Sequence, residues 1–299
     1  MALVTHAGTS VSNAFVTMFG DDVKQAYQQS TSNLMNAVRV VRGVVGSTYK
    51  FNTLTKGGTI KDKARFEDII VMSDTSKSFT GSPAGVYTGS TAQNATVTAT
   101  LSNYHAGEYV TTLDELKTNI DMRSTFAQAI ASAMARAADT AIVTALDGGT
   151  PTNIKYTAQG ASGLNKAALL EVHESLNALN VPTGDRTLLI SPAALTDLLT
   201  DTTLVSSDNG VITNQALTTG RIPNILGFQV VVSTLLTADS VVRKCYALHK
   251  QSVGLAVGSD LNVSINYVPQ KASNLVLGEM SLGAAFIDAD GIVEIQVTE

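Results

Sequence analysis

The sequence contains no tryptophan, one cysteine, four histidines and few charges, and each shortage excludes a class of chemistry. With Cys245 alone no intramolecular disulfide can form, so the fold does not depend on an oxidising compartment. Cys245 lies in an apolar run and reads as a small buried hydrophobe. His6, His105, His173 and His249 are dispersed and show no metal-ligand spacing. His173-Glu174 opens like a zinc-protease motif, but position 177 is asparagine. Asp288 and Asp290 lack the further oxygen ligands of a calcium loop and read as a tight hairpin turn. Gly57-Gly58 is not followed by the Gly-Lys-Thr/Ser of a phosphate loop, and no Gly-x-Ser-x-Gly elbow occurs. No catalytic residue, metal or cofactor is expected.

Charge is equally sparse. Charged residues are 15% of the chain, against about 25% in an average soluble protein. Much of the surface is therefore expected to face something other than bulk water. A large subunit interface would explain this; so would a low-charge enzyme. Residues 1–149 hold 12 basic and 12 acidic side chains, and residues 150–299 hold 8 and 13. Neither half is basic, so strong phosphate neutralisation is not indicated, and any nucleic-acid contact would be weak and non-specific. No stretch of about 18 uninterrupted apolar residues exists. MALVTHAGTS lacks the basic and apolar segments of a signal peptide, so a soluble protein made in the cytoplasm is expected.

What the chain does contain is regular pattern. Phe15, Phe19, Val23 and Tyr27 recur every four residues, and Leu34 and Val38 resume the series, which predicts an amphipathic helix over 12–38. From Thr48 to Leu101 the pattern turns to β, with Tyr49 and Phe51 on one face and strict alternation over Ala95–Leu101. This predicts a long hairpin with too few bulky residues for a core of its own. Lys61, Asp62, Lys63 and Arg65 form a charged cluster on it.

Residues 121–149, DMRSTFAQAIASAMARAADTAIVTALDGG, predict a helix about 40 Å long over 121–147. Asp121 caps it, and Gly148-Gly149 with Pro151 ends it. Phe126, Ile130, Met134, Ala138 and Ile142 mark its packing face; Gln128, Ser132, Arg136 and Asp139 mark the polar one. Helices over 164–181 and from Ser191-Pro192, with apolar β runs at 187–190, 227–233, 245–250 and 253–257, predict a small α/β module over 150–264. Ile292–Val297 returns to β.

The order of arm helix, long hairpin, alanine-rich helix, α/β module and returning strand resembles the major capsid protein of tailed bacteriophages, a fold shared with encapsulin shells. IDMRSTF (120–126), AMARAADTAIVTAL (133–146), LLISPAALTDLL (188–199) and GEMSLGAAFIDADGIVEIQV (278–297) are similar to stretches of capsid proteins of short-tailed phages (podoviruses). The resemblance implies an α+β fold. Its parts are an N-terminal arm (1–47), an extended loop (48–103), a peripheral domain with a spine helix (104–149 and 265–299) and an axial domain (150–264). It implies a shell of hexamers and pentamers around double-stranded DNA, with scaffolding and portal proteins as partners, in a virion assembled in the host cytoplasm with no membrane. Phe15, Phe19, Lys61, Asp62, Lys63 and Arg65 are then expected at subunit interfaces. An encapsulin-type compartment and an α/β enzyme are the alternatives.

Overall fold

The computed structural model describes residues 28–54, 65–66, 94–115, 117, 121–156, 163–201, 222, 224–239 and 242–298. Strands β1 (Arg39–Arg42), β2 (Thr48–Leu54), β3 (Asn94–Thr100) and β4 (Ser102–Thr111) precede helices α1 (Thr112–Glu115) and α2 (Met122–Asp147). Then come β5 (Asn153–Tyr156), α3 (Lys166–Ala178), β6 (Arg186–Ile190), α4 (Pro192–Thr200), β7 (Asn224–Ile225), β8 (Phe228–Val232), β9 (Ala238–Asp239) and β10 (Val242–His249). The last strands are β11 (Val253–Val268), β12 (Ser273–Phe286) and β13 (Ile292–Thr298).

Among the described residues three sheets form. A four-stranded sheet runs β1-β11-β12-β4, and a two-stranded ribbon pairs β2 with β3. A seven-stranded mixed sheet runs β5-β13-β10-β6-β8-β7, with β9 beside β10. Every residue of β6 is buried, which places this strand at the centre of the inner core. Asn165 and Ser191 cap α3 and α4 through Ala168 N and Ala194 N, and Pro192 occupies the first turn where no amide is needed.

Helix α2 spans the four-stranded sheet. Its start is fixed by Asp121, whose carboxylate accepts from Ser124 N at 3.2 Å, and by the Arg123–Glu115 ion pair that ties it to α1. Its alanines permit a close approach, and so does the strand beneath. A Cβ on Gly278 would stand 2.4 Å from Ile130 Cγ2, so only glycine lets β12 lie this close under the helix.

Three sequence expectations change. The helix expected over 12–38 does not persist through its described part. Residues Met35–Ala37 form one 3-10 turn and β1 follows, because Leu34, Ala37 and Val38 bury into the main core rather than along a helix face. Residues 288–291 do not close a hairpin. β12 and β13 belong to different sheets, and the segment crosses between them, with Asp290 N donating to Asp288 Oδ1 at 3.0 Å. The expected division at 264/265 also falls inside β11: residues 253–264 lie in the four-stranded sheet, and β13 lies in the seven-stranded one. Apolar periodicity marks a strand but not its neighbours, which explains both differences.

Candidate functional site

Among the described residues no group of three His, Cys, Asp or Glu side chains could hold a metal. His105 lies on β4 beside Glu279, His173 on α3 edge-on to Phe228, and His249 at the end of β10. Burial lowers the proton affinity of His249, as it does for the Arg186 guanidinium, which donates to Asn177 Oδ1 and to the carbonyls of Val181 and Pro182. A cleft of about 400 Å³ opens between α2 and the foot of the hairpin, walled by Thr140, Ala141, Thr144, Thr100, Tyr104 and Gly283. The hydroxyls of Thr140 and Thr144 donate to carbonyls one helical turn back, so the cleft is lined by groups suited to packing.

The first built feature is the seat of the arm. Asp139 is fully buried although it belongs to the face expected to be polar, and Ser132 is buried with it. The reason is the arm itself. Asp139 accepts from Gln29 Nε2, Ser32 Oγ, Asn33 N (3.0 Å) and Leu34 N (3.3 Å). Arg136 donates to Gln28 Oε1 at 2.8 Å and to the Gln29 carbonyl at 3.2 Å. One carboxylate thus satisfies four donors, and residues 28–34 are held against α2 in a single register.

Orphaning buried donors costs about 1–3 kcal/mol each. Asp139→Ala should therefore lower the unfolding free energy by at least about 2 kcal/mol and speed proteolysis within residues 28–38. Asp139→Asn, which keeps an acceptor, should lose less. Urea titration and timed proteolysis read both effects.

The second feature is the foot of the hairpin. β2 and β3 pair over seven positions from Thr48↔Thr100 to Leu54↔Asn94. Phe51 and Ala99 pack with Ala256 of β11 and Ala285 of β12 in a small separate cluster. A Cβ on Gly283 would lie 2.1 Å from the Thr100 carbonyl oxygen, so the hairpin foot sits directly on the β12 backbone.

The third is the end of α2. Asp147 accepts from Tyr246 OH at 2.5 Å and from Thr237 Oγ1, tying the helix to β10 of the seven-stranded sheet. Burial first, and the Asp147 hydrogen bond next, push the Tyr246 phenol far above its ordinary range, so it remains a donor.

Of the packing residues, Ile130, Met134, Ala138 and Ile142 are buried, and Phe126 is partly buried against the main core. Arg65 is exposed with its guanidinium over the Phe66 ring. Phe15, Phe19, Lys61, Asp62 and Lys63 lie outside the described residues. Sequence reasoning missed Asp139 and the Tyr246–Asp147 tie. The signal for the first was an acid interrupting an otherwise apolar helical run; nothing in the sequence signals the second.

Residues 11–299 match the model of a family described as phage capsid protein. No curated protein matches the sequence. Among solved structures, the chain is similar to the capsid structure of the cyanophage P-SCSP1u, with a TM-score of 0.72, 18% identity, and 98% of this chain and 96% of the other covered. A structure from Mycobacterium phage Che8 gives 0.68 and 15%, covering 94% and 96%. The capsid of Ralstonia phage GP4 gives 0.68 and 10%, covering 100% and 98%.

Proposed function

The chain belongs to the phage capsid protein family, and from that premise we propose that its copies close as hexamers and pentamers into an icosahedral shell around packaged double-stranded DNA. It is a major capsid protein, a structural component of the bacteriophage virion, and it self-assembles to form the capsid. The observation that carries the reading is the family match over 11–299, joined to capsid neighbours that align over nearly the whole chain.

The finer parts of the reading are supported by residues. The hairpin foot rests on a core of four small or flat side chains, which suits an element whose remainder stabilises neighbouring copies. The absence of a basic excess suits a lining that touches DNA only weakly. Scaffolding and portal proteins are the further partners, assembly takes place in the host cytoplasm, and the chain carries no catalytic activity. The peripheral part is the four-stranded sheet with α2, and the axial part is the seven-stranded sheet with α3 and α4. Phe15, Phe19, Lys61, Asp62, Lys63 and Arg65 serve as subunit contacts.

Negative-stain microscopy of the purified protein tests the central claim. Closed particles of uniform size, with five- and six-membered rings among the partial assemblies, are expected; their absence under every assembly condition overturns it. Deleting residues 56–92 should leave a subunit that unfolds cooperatively but builds no shells. Intact particles from that deletion would remove the hairpin from assembly.

A further inference from the structure

Strand β11 is longer than its cover. β1 pairs with it only from Gly254 to Val257, and β12 occupies its other side to Val268. From Asn262 to Val268 the outer side of β11 has no partner strand among the described residues. This stretch, NVSINYV, has no charge, proline or glycine. It is bounded by a register shift before Asn262 and by Pro269 after Val268. Ile265 and Tyr267 are 48% and 58% exposed along it. Ile265 stands opposite the fully buried Val276, so this apolar row continues the helix-facing side of the sheet past its edge.

Exposed edges of soluble subunits are normally guarded by charge, proline or short length. The opposite edge of the same sheet, β4, carries His105 and Glu108, and the short β1 carries Arg39 and Arg42. Between its bounding register shift and Pro269, the β11 stretch carries no charge or proline of its own, which leaves these seven residues open to pairing. An icosahedral shell contains two-fold axes, and a contact across one must be self-complementary.

We propose that residues Asn262–Val268 pair antiparallel with the same residues of a second copy across a two-fold axis, centred on Ile265, so that two four-stranded sheets join into one. This inference rests on the shell reading above. With Ile265 opposite its own image, Val263 meets Tyr267 of the second copy and Ser264 meets Asn266. One face of the joint is then wholly apolar, the central pair on the other face is polar, and no like charges oppose one another. The joint satisfies backbone groups that a free edge leaves to water.

Cysteine placement tests the register. Paired strands bring opposite Cα atoms to about 4.5–5.5 Å, within disulfide reach, and the native Cys245 is buried and silent. In assembled particles under mild oxidation, Ile265→Cys should yield disulfide-linked dimers on a non-reducing gel. Tyr267→Cys should not, because its two copies stand about 13 Å apart along the pair. Particles without a link at Ile265→Cys, or with an equal link at Tyr267→Cys, overturn the proposal; the latter result would put another register or segment against the edge. A second arm needs no cross-link: Ile265→Lys should keep the subunit's unfolding midpoint and abolish closed particles, and assembly at native yield overturns the proposal. Failure of the unaltered chain to form particles would instead count against the shell reading itself.

Discussion

Ala138→Glu should lower the unfolding free energy of the subunit by about 3–5 kcal/mol, the cost of an uncompensated buried charge. Total stabilities are about 5–15 kcal/mol, so the variant should be largely unfolded at moderate urea. Ala138 is 3% exposed and lies in the main core between Met134 and Ile142. The adjoining carboxylate of Asp139 is already committed to the arm and adds repulsion rather than a partner. Thr140→Glu, two residues further on and exposed, should stay within about 0.5 kcal/mol of the native chain. Chemical unfolding of the two variants side by side separates a packed face from a general intolerance of charge. Equal midpoints would remove Ala138 from the core.

Gly283→Ala should damage assembly more than it damages the subunit. The added Cβ meets the Thr100 carbonyl oxygen at 2.1 Å and the Thr100 carbonyl carbon at 2.7 Å, and a backbone cannot turn aside as a side-chain tip can. Relief requires the β2–β3 foot to lift from β12, at an overpacking cost of about 1–3 kcal/mol. The hairpin then leaves its sheet at the wrong angle in every copy. Gly278→Ala is the fitting comparison, because its Cβ meets the Ile130 side chain of α2 at 2.4 Å, a clash of similar severity that does not touch the hairpin foot. Particle yield by sedimentation should fall far more for Gly283→Ala than for Gly278→Ala at comparable unfolding midpoints. Equal yields would detach the foot of the hairpin from shell geometry.

The sequence made some of this legible and hid the rest for physical reasons. Helix α2 was readable because cap, periodicity and terminating glycines agree within one segment, and the structure bounds it at Met122–Asp147. β3 was readable from alternation, and α4 from Ser191-Pro192. The burial of Asp139 was not readable, because a periodicity argument assigns a polar residue to the solvent side unless something covers it. The cover came from residues about a hundred positions earlier, which carry no mark of their destination. Sheet membership was hidden in the same way. β11 and β13 each show a clear strand pattern, yet their neighbours are chosen by long-range packing. The Tyr246–Asp147 bond joins positions 99 apart, and each residue alone looks ordinary.

The placement of β13 bears on the timing of synthesis. This strand lies between β5 and β10, inside the seven-stranded sheet and not at its rim, and five of its seven residues are fully buried or nearly so. β13 supplies the pairing for both β5 and β10, so without residues 292–298 neither strand has this neighbour and the main core lacks Ile292, Val293, Ile295 and Val297. Long-range pairings of this kind are slow to form. A subunit with a closed core is therefore expected only once residues 292–298 have joined the sheet.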